Sequence, residues 1–266
     1  MELMIKPKKS LGQNFLIDNN ILNKIINLIK IKNYNVVEIG PGTGNLTKKI
    51  IAQKPKNLLL VEKDQLLSNN LRNALNITNN LQIFNEDILK FDLEKKIRRN
   101  SIIVGNLPYN ISSQILIKLI KFNQWLPKYK KLILMFQKEV ADKILAKYNT
   151  PNYGRLAIIT SARLKITNHF NISPNSFYPV PKVKSTILVF EPIINKDFKV
   201  KKIENLEKIS HIFFSRKRKM VNKAFNELFK NPLSIAKKID INLNLRPGEL
   251  TENEYFKITE MFESQK

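Results

Sequence analysis

The sequence contains no cysteine and only 7 glycines among its 266 residues. The absence of cysteine excludes disulfide scaffolds, thiolate metal sites and cysteine nucleophiles, so folding requires no oxidising compartment. The low glycine content, together with 12 prolines, excludes collagen-like and linker-dominated chains. We therefore expect a globular protein whose core is built from the 43% of residues that are hydrophobic.

Long apolar runs are also missing from the sequence. No stretch approaches the roughly 18 uninterrupted apolar residues that a membrane span requires. The start of the chain has lysines but lacks the apolar segment of a signal peptide. We therefore predict a cytoplasmic protein with no membrane partner.

Acidic residues are scarce relative to basic ones. The sequence has 46 Lys and Arg against 22 Asp and Glu, a formal net charge of +24. Such an excess favours a polyanionic partner. Because AT-rich coding also enriches lysine, the charge by itself does not identify that partner.

Short apolar runs rich in β-branched residues alternate with amphipathic stretches over the first two thirds of the chain. This alternation predicts an α/β fold with a mostly parallel, seven-stranded sheet. The predicted strands are Val36–Ile39, Leu58–Glu62, Leu81–Phe84, Ile102–Asn106, Leu132–Phe136, Leu156–Thr160 and Ser185–Phe190.

The pattern changes after the last predicted strand. Glu191-Pro192 opens a polar stretch, and from about Lys202 only helical periodicity remains. We predict a first domain over residues 1–195, of which residues 1–18 form an arm, and a small all-α domain over residues 196–266.

A glycine turn follows the first predicted strand, in the segment Glu38–Thr47 (E-I-G-P-G-T-G-N-L-T). Glycines at such a turn let the backbone approach a ligand closely. Glu62 ends the next strand near the roughly 20-residue offset at which an acidic side chain accepts from ribose hydroxyls. Asn45 replaces the third glycine of a dinucleotide fingerprint, so pyrophosphate binding is not required. We favour a nucleoside site over a plain turn with a surface glutamate.

Asp87 follows the third predicted strand. The carboxyl ends of parallel strands form the ligand side of an open sheet. From there Asp87 can accept a hydrogen bond from an adenine amino group, and an ordinary helix cap is the alternative.

The segment G-N-L-P-Y-N-I-S, residues 105–112, follows the fourth predicted strand. An adenine amine is a poor nucleophile because its lone pair is delocalised into the ring. The Asn106 side-chain carbonyl and a neighbouring backbone carbonyl can accept from its N–H groups and favour a more tetrahedral nitrogen. Pro108 stiffens the turn, and Tyr109 offers a face for stacking the base. We favour this interpretation over an Asn-Pro turn with a packed tyrosine.

Several blocks resemble those of bacterial ribosomal RNA adenine dimethyltransferases of the KsgA/RsmA type, in the same order and over essentially the whole chain. The resemblance implies a Rossmann-like class I methyltransferase domain followed by a helical RNA-binding domain. The blocks are Lys8–Leu16, Glu38–Gly42, Gly105–Ser112, Gln137–Val140, Tyr153–Leu156 and Phe177–Ser185.

The resemblance implies S-adenosyl-L-methionine as the methyl donor and no metal. Asn14 and Leu16 would lie near the methionine end of the donor, and Gly40 against its backbone-facing side. Glu62 would hold the ribose hydroxyls, and Asp87 would bind the donor adenine.

The resemblance also implies a catalytic loop and its aromatic partner. Asn106, Leu107, Pro108 and Tyr109 would form that loop, with Asn106 where the donor methyl meets the target amine. Phe177 would sandwich the target base against Tyr109, and a position in the core is the alternative for Phe177.

The implied reaction is N6-dimethylation of two adjacent adenosines near the 3′ end of small-subunit (16S) rRNA. The expected substrate is a precursor of the small ribosomal subunit, and we expect the enzyme to be monomeric. The cluster Arg216, Lys217, Arg218 and Lys219 is expected to begin a helix and to contact RNA phosphates.

Two other functions are open. Large-subunit rRNA methyltransferases of the macrolide-resistance type share the donor site and the Asn-x-Pro-Tyr block, whereas Leu107, Tyr153–Leu156 and Arg246–Leu250 favour the small-subunit type. A non-catalytic RNA-binding assembly factor on the same fold is the second alternative, and the intact Asn106–Tyr109 segment argues against it.

Overall fold

The computed structural model describes residues 7–28, 31–75, 78–194 and 198–265. The chain forms two compact units, one of Met1–Ala141 with Ile166–Pro192 and the other of Asp142–Lys165 with Ile193–Lys266. The predicted boundary after residue 195 lies outside the described residues, as do the first six residues of the predicted arm.

A seven-stranded sheet forms the centre of the first unit, and a two-stranded ribbon pairs β1 with β8. The sheet order is β4-β3-β2-β5-β6-β9-β7, with β4 to β6 parallel and β9 antiparallel to β6. The prediction of a mostly parallel, seven-stranded sheet is therefore confirmed. The strands are β1 Phe15–Leu16, β2 Asn35–Ile39, β3 Asn57–Glu62, β4 Leu81–Asn85, β5 Ser101–Gly105, β6 Tyr129–Gln137, β7 Leu164–Ile172, β8 Phe177–Tyr178 and β9 Ser185–Pro192.

Helices connect the parallel strands and make up the C-terminal region. Several begin at side-chain caps, as where Asp18 and Asp64 accept hydrogen bonds from the first backbone N–H groups of α1 and α3. The helices are α1 Asn19–Asn27, α2 Asn45–Ala52, α3 Gln65–Ala74, α4 Leu93–Lys96, α5 Ser112–Ile120, α6 Lys138–Leu145, α7 Arg155–Ser161, α8 Ile203–Phe214, α9 Asn222–Leu228, α10 Pro232–Lys238 and α11 Glu252–Ser264.

The order of the parallel strands reverses between β2 and β5. The chain first proceeds from β2 to β3 and β4 on one side, and then places β5 and β6 on the other. Ile39 lies beside Gly105 in the ladder, and Glu62 lies beside Asn85, so the strands end at one edge. Open α/β sheets bind ligands at such a reversal, outside the carboxyl ends of the strands.

The second unit is built around aromatic side chains. The ring of Phe213 on α8 meets Phe225 of α9 and Tyr255 of α11 edge-on, with centroids 5.9 Å and 5.4 Å away. A capping box between Thr251 and Glu254 starts α11. The described elements after Phe198 are helical, as predicted for this part of the chain.

One predicted strand is wrong. Residues Leu156–Thr160 lie in helix α7, which packs against α8 and α11, and for this reason Asp142–Lys165 belongs to the second unit and not to the first domain. A short, fully buried apolar run has no periodicity that separates strand from helix. The seventh strand of the sheet is instead β7, whose mostly exposed, polar sequence fits an edge position.

The ribbon of β1 and β8 separates two faces. Leu16 pairs with Phe177, and Phe15 pairs with Tyr178. Phe177 is 1% exposed and belongs to the apolar core with Leu16, whereas Tyr178 is 58% exposed. Adjacent residues of a strand point to opposite faces, so the ribbon buries the ring of Phe177 and exposes the ring of Tyr178 to solvent.

We expect Phe177→Ala to lower the free energy of unfolding by about 3–5 kcal/mol, because it empties a core site. Tyr178→Ala, the matched control one residue away, should change it by less than about 0.5 kcal/mol. Urea unfolding of both variants measures the difference. Equal stability of the two variants would contradict the buried position of Phe177.

Candidate active site

An open pocket of about 880 Å³ lies at the carboxyl ends of β2, β3 and β5. The arm, the glycine turn and the Asn-Leu-Pro-Tyr loop each contribute to its wall. The structure therefore brings most of the predicted site residues into one place. Those lining the pocket are Asn14, Gly40, Glu62, Asp87, Asn106, Leu107, Pro108 and Tyr109.

The glycine turn after β2 requires residues without side chains. Gly40 and Gly42 have φ angles of +67° and +58°, in the left-handed region that other residues rarely adopt. A Cβ on Gly42 would come within 3.0 Å of the Phe15 ring, and one on Gly40 would face the Asn106 carbonyl oxygen at 3.7 Å. The turn thus keeps the space beside Asn106 open for a ligand.

Glu62 is held at the end of β3 by two backbone groups. One carboxylate oxygen accepts from the Gly42 N–H at 3.0 Å and the other from the Asp64 N–H at 2.8 Å. Burial raises the pKa of Glu62, and these hydrogen bonds oppose that rise. Each oxygen can still accept a second hydrogen bond, as the two hydroxyls of a ribose require.

Asp87 follows β4 in the pocket wall and is ionised. Lys63 Nζ donates to Asp87 Oδ2 at 2.9 Å, and the Leu89 N–H donates to Oδ1 at 2.9 Å. The hydrogen bond from Lys63 is the main reason that the pKa of Asp87 is lowered. Lys63 was not among the predicted site residues. Its position directly after Glu62, at the end of β3, was a signal that could have identified it.

Asn106 is oriented by the arm. Its Nδ2 donates to the Asn14 carbonyl oxygen at 2.8 Å, so the side-chain oxygen faces away from that contact. Among the residues that the structure describes, Oδ1 has no hydrogen-bond partner and is available as an acceptor. The Leu107 side chain packs closely against Gly105 and thereby supports the loop. A Cβ on Gly105 would lie only 2.7 Å from Leu107 Cδ2.

Tyr109 is tied to the start of β9. Its hydroxyl lies 2.6 Å from Ser185 Oγ, and its backbone carbonyl accepts from Ser112 Oγ at 3.2 Å. Burial raises the pKa of Tyr109, and the hydrogen bond with Ser185 partly offsets the rise. The ring is therefore a fixed, neutral surface. Sequence reasoning missed Ser185, which lies far from Tyr109 in the chain.

The arm is fastened beside the pocket by Asp64. Gln13 Nε2 donates to Asp64 Oδ2 at 3.0 Å, and Lys8 Nζ forms an ion pair with the same oxygen at 2.9 Å. Burial opposes ionisation of Asp64, but these two contacts outweigh it and lower its pKa. No local sequence pattern indicated this contact.

Leu16, which was predicted to lie near the methionine end of the donor, lines a pocket next to the larger one. It lines a smaller pocket of about 450 Å³, which shares Gly40 and Asn106 with the larger one, and it does not line the larger pocket. Its backbone carbonyl accepts from Asn45 Nδ2 at 2.9 Å. Asn45, the residue at the third glycine position, thus attaches β1 to the start of α2.

Phe177 does not take its predicted place opposite Tyr109. Its ring is buried in the core behind β1 and has no free face for a base. The Phe177–Tyr109 sandwich is therefore not formed by the side chains as they stand. The core position, which sequence reasoning gave as the alternative, is the one observed.

The basic cluster Arg216–Lys219 lies in a turn after α8. The prediction that this cluster begins a helix is wrong. All four residues are exposed. Lys217 donates to the Pro151 carbonyl oxygen at 2.9 Å, and Arg216 lies 3.6 Å from Glu227. Arg218 and Lys219 are not paired with an acidic residue in the described part of the chain.

Metal centres and membrane-spanning helices are both absent from the described residues. No group of three or more His, Cys, Asp and Glu side chains there is arranged to hold a metal ion. No helix there is long and apolar enough to cross a membrane.

Glu38 is a buried acid beneath the glycine turn. It is 2% exposed, and its Oε2 accepts from Thr47 Oγ1 at 2.7 Å. Burial raises its pKa to about 8, the hydrogen bond from Thr47 opposes the rise, and the charge of Glu62 adds to it. The carboxyl group is therefore largely protonated at neutral pH and joins β2 to α2 as a neutral group.

Comparison with known proteins decides the family. The model of the family described as ribosomal RNA adenine dimethylase matches residues 4–264. The chain belongs to this family. Ribosomal RNA small subunit methyltransferase A of Pelagibacter ubique (strain HTCC1062) is 47% identical over 98% of both chains. The protein of the same name from Mycoplasma mobile is 35% identical over 93% of this chain and 95% of its own.

Solved structures agree with this family assignment. A dimethyladenosine transferase from Plasmodium falciparum superposes with a TM-score of 0.79 at 29% identity, covering 94% of this chain and 98% of its own. The 23S rRNA methyltransferase ErmE superposes with a TM-score of 0.68 at 21% identity, covering 94% and 99%. The likeness to ErmE shows a shared fold only.

Ionisation of Glu38 should make stability depend on pH. The folded state keeps the proton up to a pKa of about 8, against an ordinary value of 4.5. The folded state therefore binds more protons between these values, and the free energy of unfolding should fall as pH rises from 5 to 8. Glu38→Gln keeps the acceptor for Thr47 but cannot ionise.

Urea unfolding at a series of pH values tests this expectation. The stability of Glu38→Gln relative to the parent should increase by several kcal/mol from pH 5 to pH 8 and change little above that range. A constant difference across the series would show that Glu38 is already charged in the folded protein.

Proposed function

We propose that this protein transfers methyl groups from S-adenosyl-L-methionine to N6 of two adjacent adenosines near the 3′ end of small-subunit rRNA. The observation that carries the proposal is the free Asn106 Oδ1 in one pocket with Glu62 and Asp87. This arrangement places an acceptor for an amine beside a nucleoside site. Family membership and relatives named for small-subunit methylation support the same substrate.

The pocket suits the donor on three counts. Gly40 and Gly42 form a turn with positive φ angles whose backbone carries no side chain at the pocket wall. Glu62 has acceptor capacity for two ribose hydroxyls, and Asp87 has acceptor capacity for an adenine amino group. The donor supplies a methyl group on a positively charged sulfur, so transfer requires neither a metal nor a group to activate the leaving atom.

Asn106 prepares the target amine. Its Oδ1 accepts one N–H of the adenine N6, and a backbone carbonyl of the same loop accepts the other. These contacts favour a tetrahedral nitrogen whose lone pair is directed to the methyl group, and they stabilise the positive charge that develops there. The hydrogen bond to Asn14 keeps the side chain in the orientation that this role requires.

Tyr109 holds the target base after it leaves its stack in the RNA. Because the tyrosine hydroxyl is fixed to Ser185, the ring loses little further freedom on binding. A base stacked on it gains about 1–3 kcal/mol, which offsets part of the cost of unstacking.

The second unit contributes cations to RNA binding. Arg218 and Lys219 are exposed and carry no acidic partner in the described ranges, so they are available for phosphates. We infer further that the substrate is a precursor of the small subunit, that the protein acts in the cytoplasm, and that a single chain suffices.

Methyl transfer to unmethylated ribosomal subunits tests the function. The protein is incubated with labelled donor and separate small or large subunits, and the modified bases are mapped. We expect label on two adjacent adenosines of small-subunit rRNA. Label confined to large-subunit rRNA would show that the macrolide-resistance type of activity is the correct one.

Donor binding should depend on the two carboxylates of the pocket. Glu62→Gln and Asp87→Asn should each weaken it by roughly 1–3 kcal/mol, because each removes one strong acceptor. Asp92→Asn is the matched control, since Asp92 caps α4, where asparagine caps equally well, and pairs with Lys95 outside the pocket. Calorimetry measures the affinities. If both pocket variants bind the donor like the control, the donor site lies elsewhere.

Asn106→Ala should abolish catalysis without abolishing binding. Loss of the amine acceptor should slow single-turnover transfer by roughly 10²–10³-fold, the usual scale for one preorganised group. Thermal unfolding and rRNA affinity should change little. Transfer at the parent rate would refute the acceptor role.

The salt dependence of rRNA binding should report on Arg218 and Lys219. Removal of one cation that neutralises a phosphate should reduce the slope of log K against log salt by roughly 0.7–0.9. The variant with both Arg218→Ala and Lys219→Ala should therefore have a flatter slope. The variant with both Lys237→Ala and Lys238→Ala loses the same charge elsewhere on the second unit and is the control for the loss of charge. Identical slopes in the two double variants would show that Arg218 and Lys219 have no specific role in binding rRNA phosphates.

A further inference from the structure

The loop over residues 178–184 is anchored at both ends to the wall of the active-site pocket. At one end Tyr178 pairs with Phe15 in the ribbon of β1 and β8. At the other end Ser185 Oγ lies 2.6 Å from the Tyr109 hydroxyl. Phe15 and Tyr109 both line the pocket, so each end of the loop contacts a residue of the pocket wall.

Tyr178 shares a face of the ribbon with a ring of the pocket wall. Residues directly opposite in an antiparallel pair have side chains on the same face. The Phe15 ring lies against Gly42, within 3.0 Å of where a Cβ would stand. The ring of Tyr178 is therefore next to the pocket, and it is 58% exposed.

The surroundings of Tyr178 combine apolar and cationic groups. Val180 and Val183 are 60% and 42% exposed, which is unusual for neighbouring apolar side chains in one loop. Lys182 and Lys184 are also exposed, and the loop contains no acidic residue. An aromatic face with interleaved lysines has the composition of a surface for single-stranded nucleic acid, since bases stack and phosphates pair with the cations.

We propose that Tyr178 is a positioning residue that stacks on the nucleotide adjoining the target adenine, with Lys182 and Lys184 on the neighbouring phosphates. This inference rests on the proposed function. When the target base is drawn out into the pocket, the base beside it loses its stacking partner. The ring of Tyr178, beside the pocket, replaces that stacking partner and holds the RNA strand in position.

Steady-state transfer to small subunits at saturating donor tests the role. Tyr178→Ala should raise KM for the subunits by roughly 5- to 150-fold, the equivalent of one base stack, and leave kcat nearly unchanged, since the stack forms before and during transfer. Tyr178→Phe and Tyr178→Trp keep the face and should stay within about twofold of the parent. Tyr148→Ala removes a tyrosine of similar exposure, 48%, in the second unit and serves as the control.

Three outcomes of the kinetics overturn the inference. An unchanged KM in Tyr178→Ala shows that no base stacks there, and a Phe variant as impaired as the Ala variant shows that the hydroxyl matters and the face does not. A parent inactive on small subunits refutes the proposed function and this inference together. With an active parent, either of the first two outcomes refutes the inference alone.

Photocrosslinking identifies the partner of the ring without relying on activity. A benzophenone amino acid at position 178 should crosslink to the rRNA nucleotide next to a methylated adenosine. Crosslinks to a ribosomal protein would mean that the exposed loop docks protein. Crosslinks to a distant nucleotide would mean that it lies away from the target, and either result overturns the inference.

Discussion

The hydrogen bond from Asn106 to the Asn14 carbonyl oxygen is the contact on which the geometry of the site depends. It uses the donor half of the amide and leaves the side-chain oxygen without a hydrogen-bond partner among the residues that the structure describes. It also joins two segments distant in sequence, the arm and the loop after β5. The same arm is held by Asn45 at the start of α2 and by Asp64 at the start of α3, so the orientation of one amide relies on three strand-to-helix connections.

Three neighbouring acids near the carboxyl ends of β2 and β3 differ in their pKa shifts because both their burial and their hydrogen-bond donors differ. Glu38 has one hydroxyl donor and is deeply buried, so it retains its proton. Glu62 accepts from two backbone N–H groups, and Asp64 from a lysine and a glutamine besides its helix. Burial is the largest influence on the pKa of each acid, and the number and charge of the donors decide how far that influence is opposed.

The strands and most of the pocket could be predicted because residues that follow parallel strands meet at one edge of the sheet. Gly40, Glu62, Asp87 and Asn106 were found by that rule. The errors have physical causes. Buried apolar runs such as Leu156–Thr160 carry no period, and Phe177 differs from Tyr178 only in the face of a two-residue ribbon. Contacts such as Tyr109–Ser185 depend on the tertiary fold and have no local signal.

The ion pair between Lys8 and Asp64, which holds the arm, has a consequence for activity measurements at different ionic strengths. Lys8 is half exposed, so its ion pair with the buried Asp64 weakens as salt is added. The arm carries the carbonyl that orients Asn106. If the proposed roles are correct, added salt should therefore act on the orientation of Asn106 as well as on the affinity for rRNA. A fall in turnover in concentrated buffer would therefore combine two effects, and experiments that hold the rRNA substrate saturating at every ionic strength are needed to tell them apart.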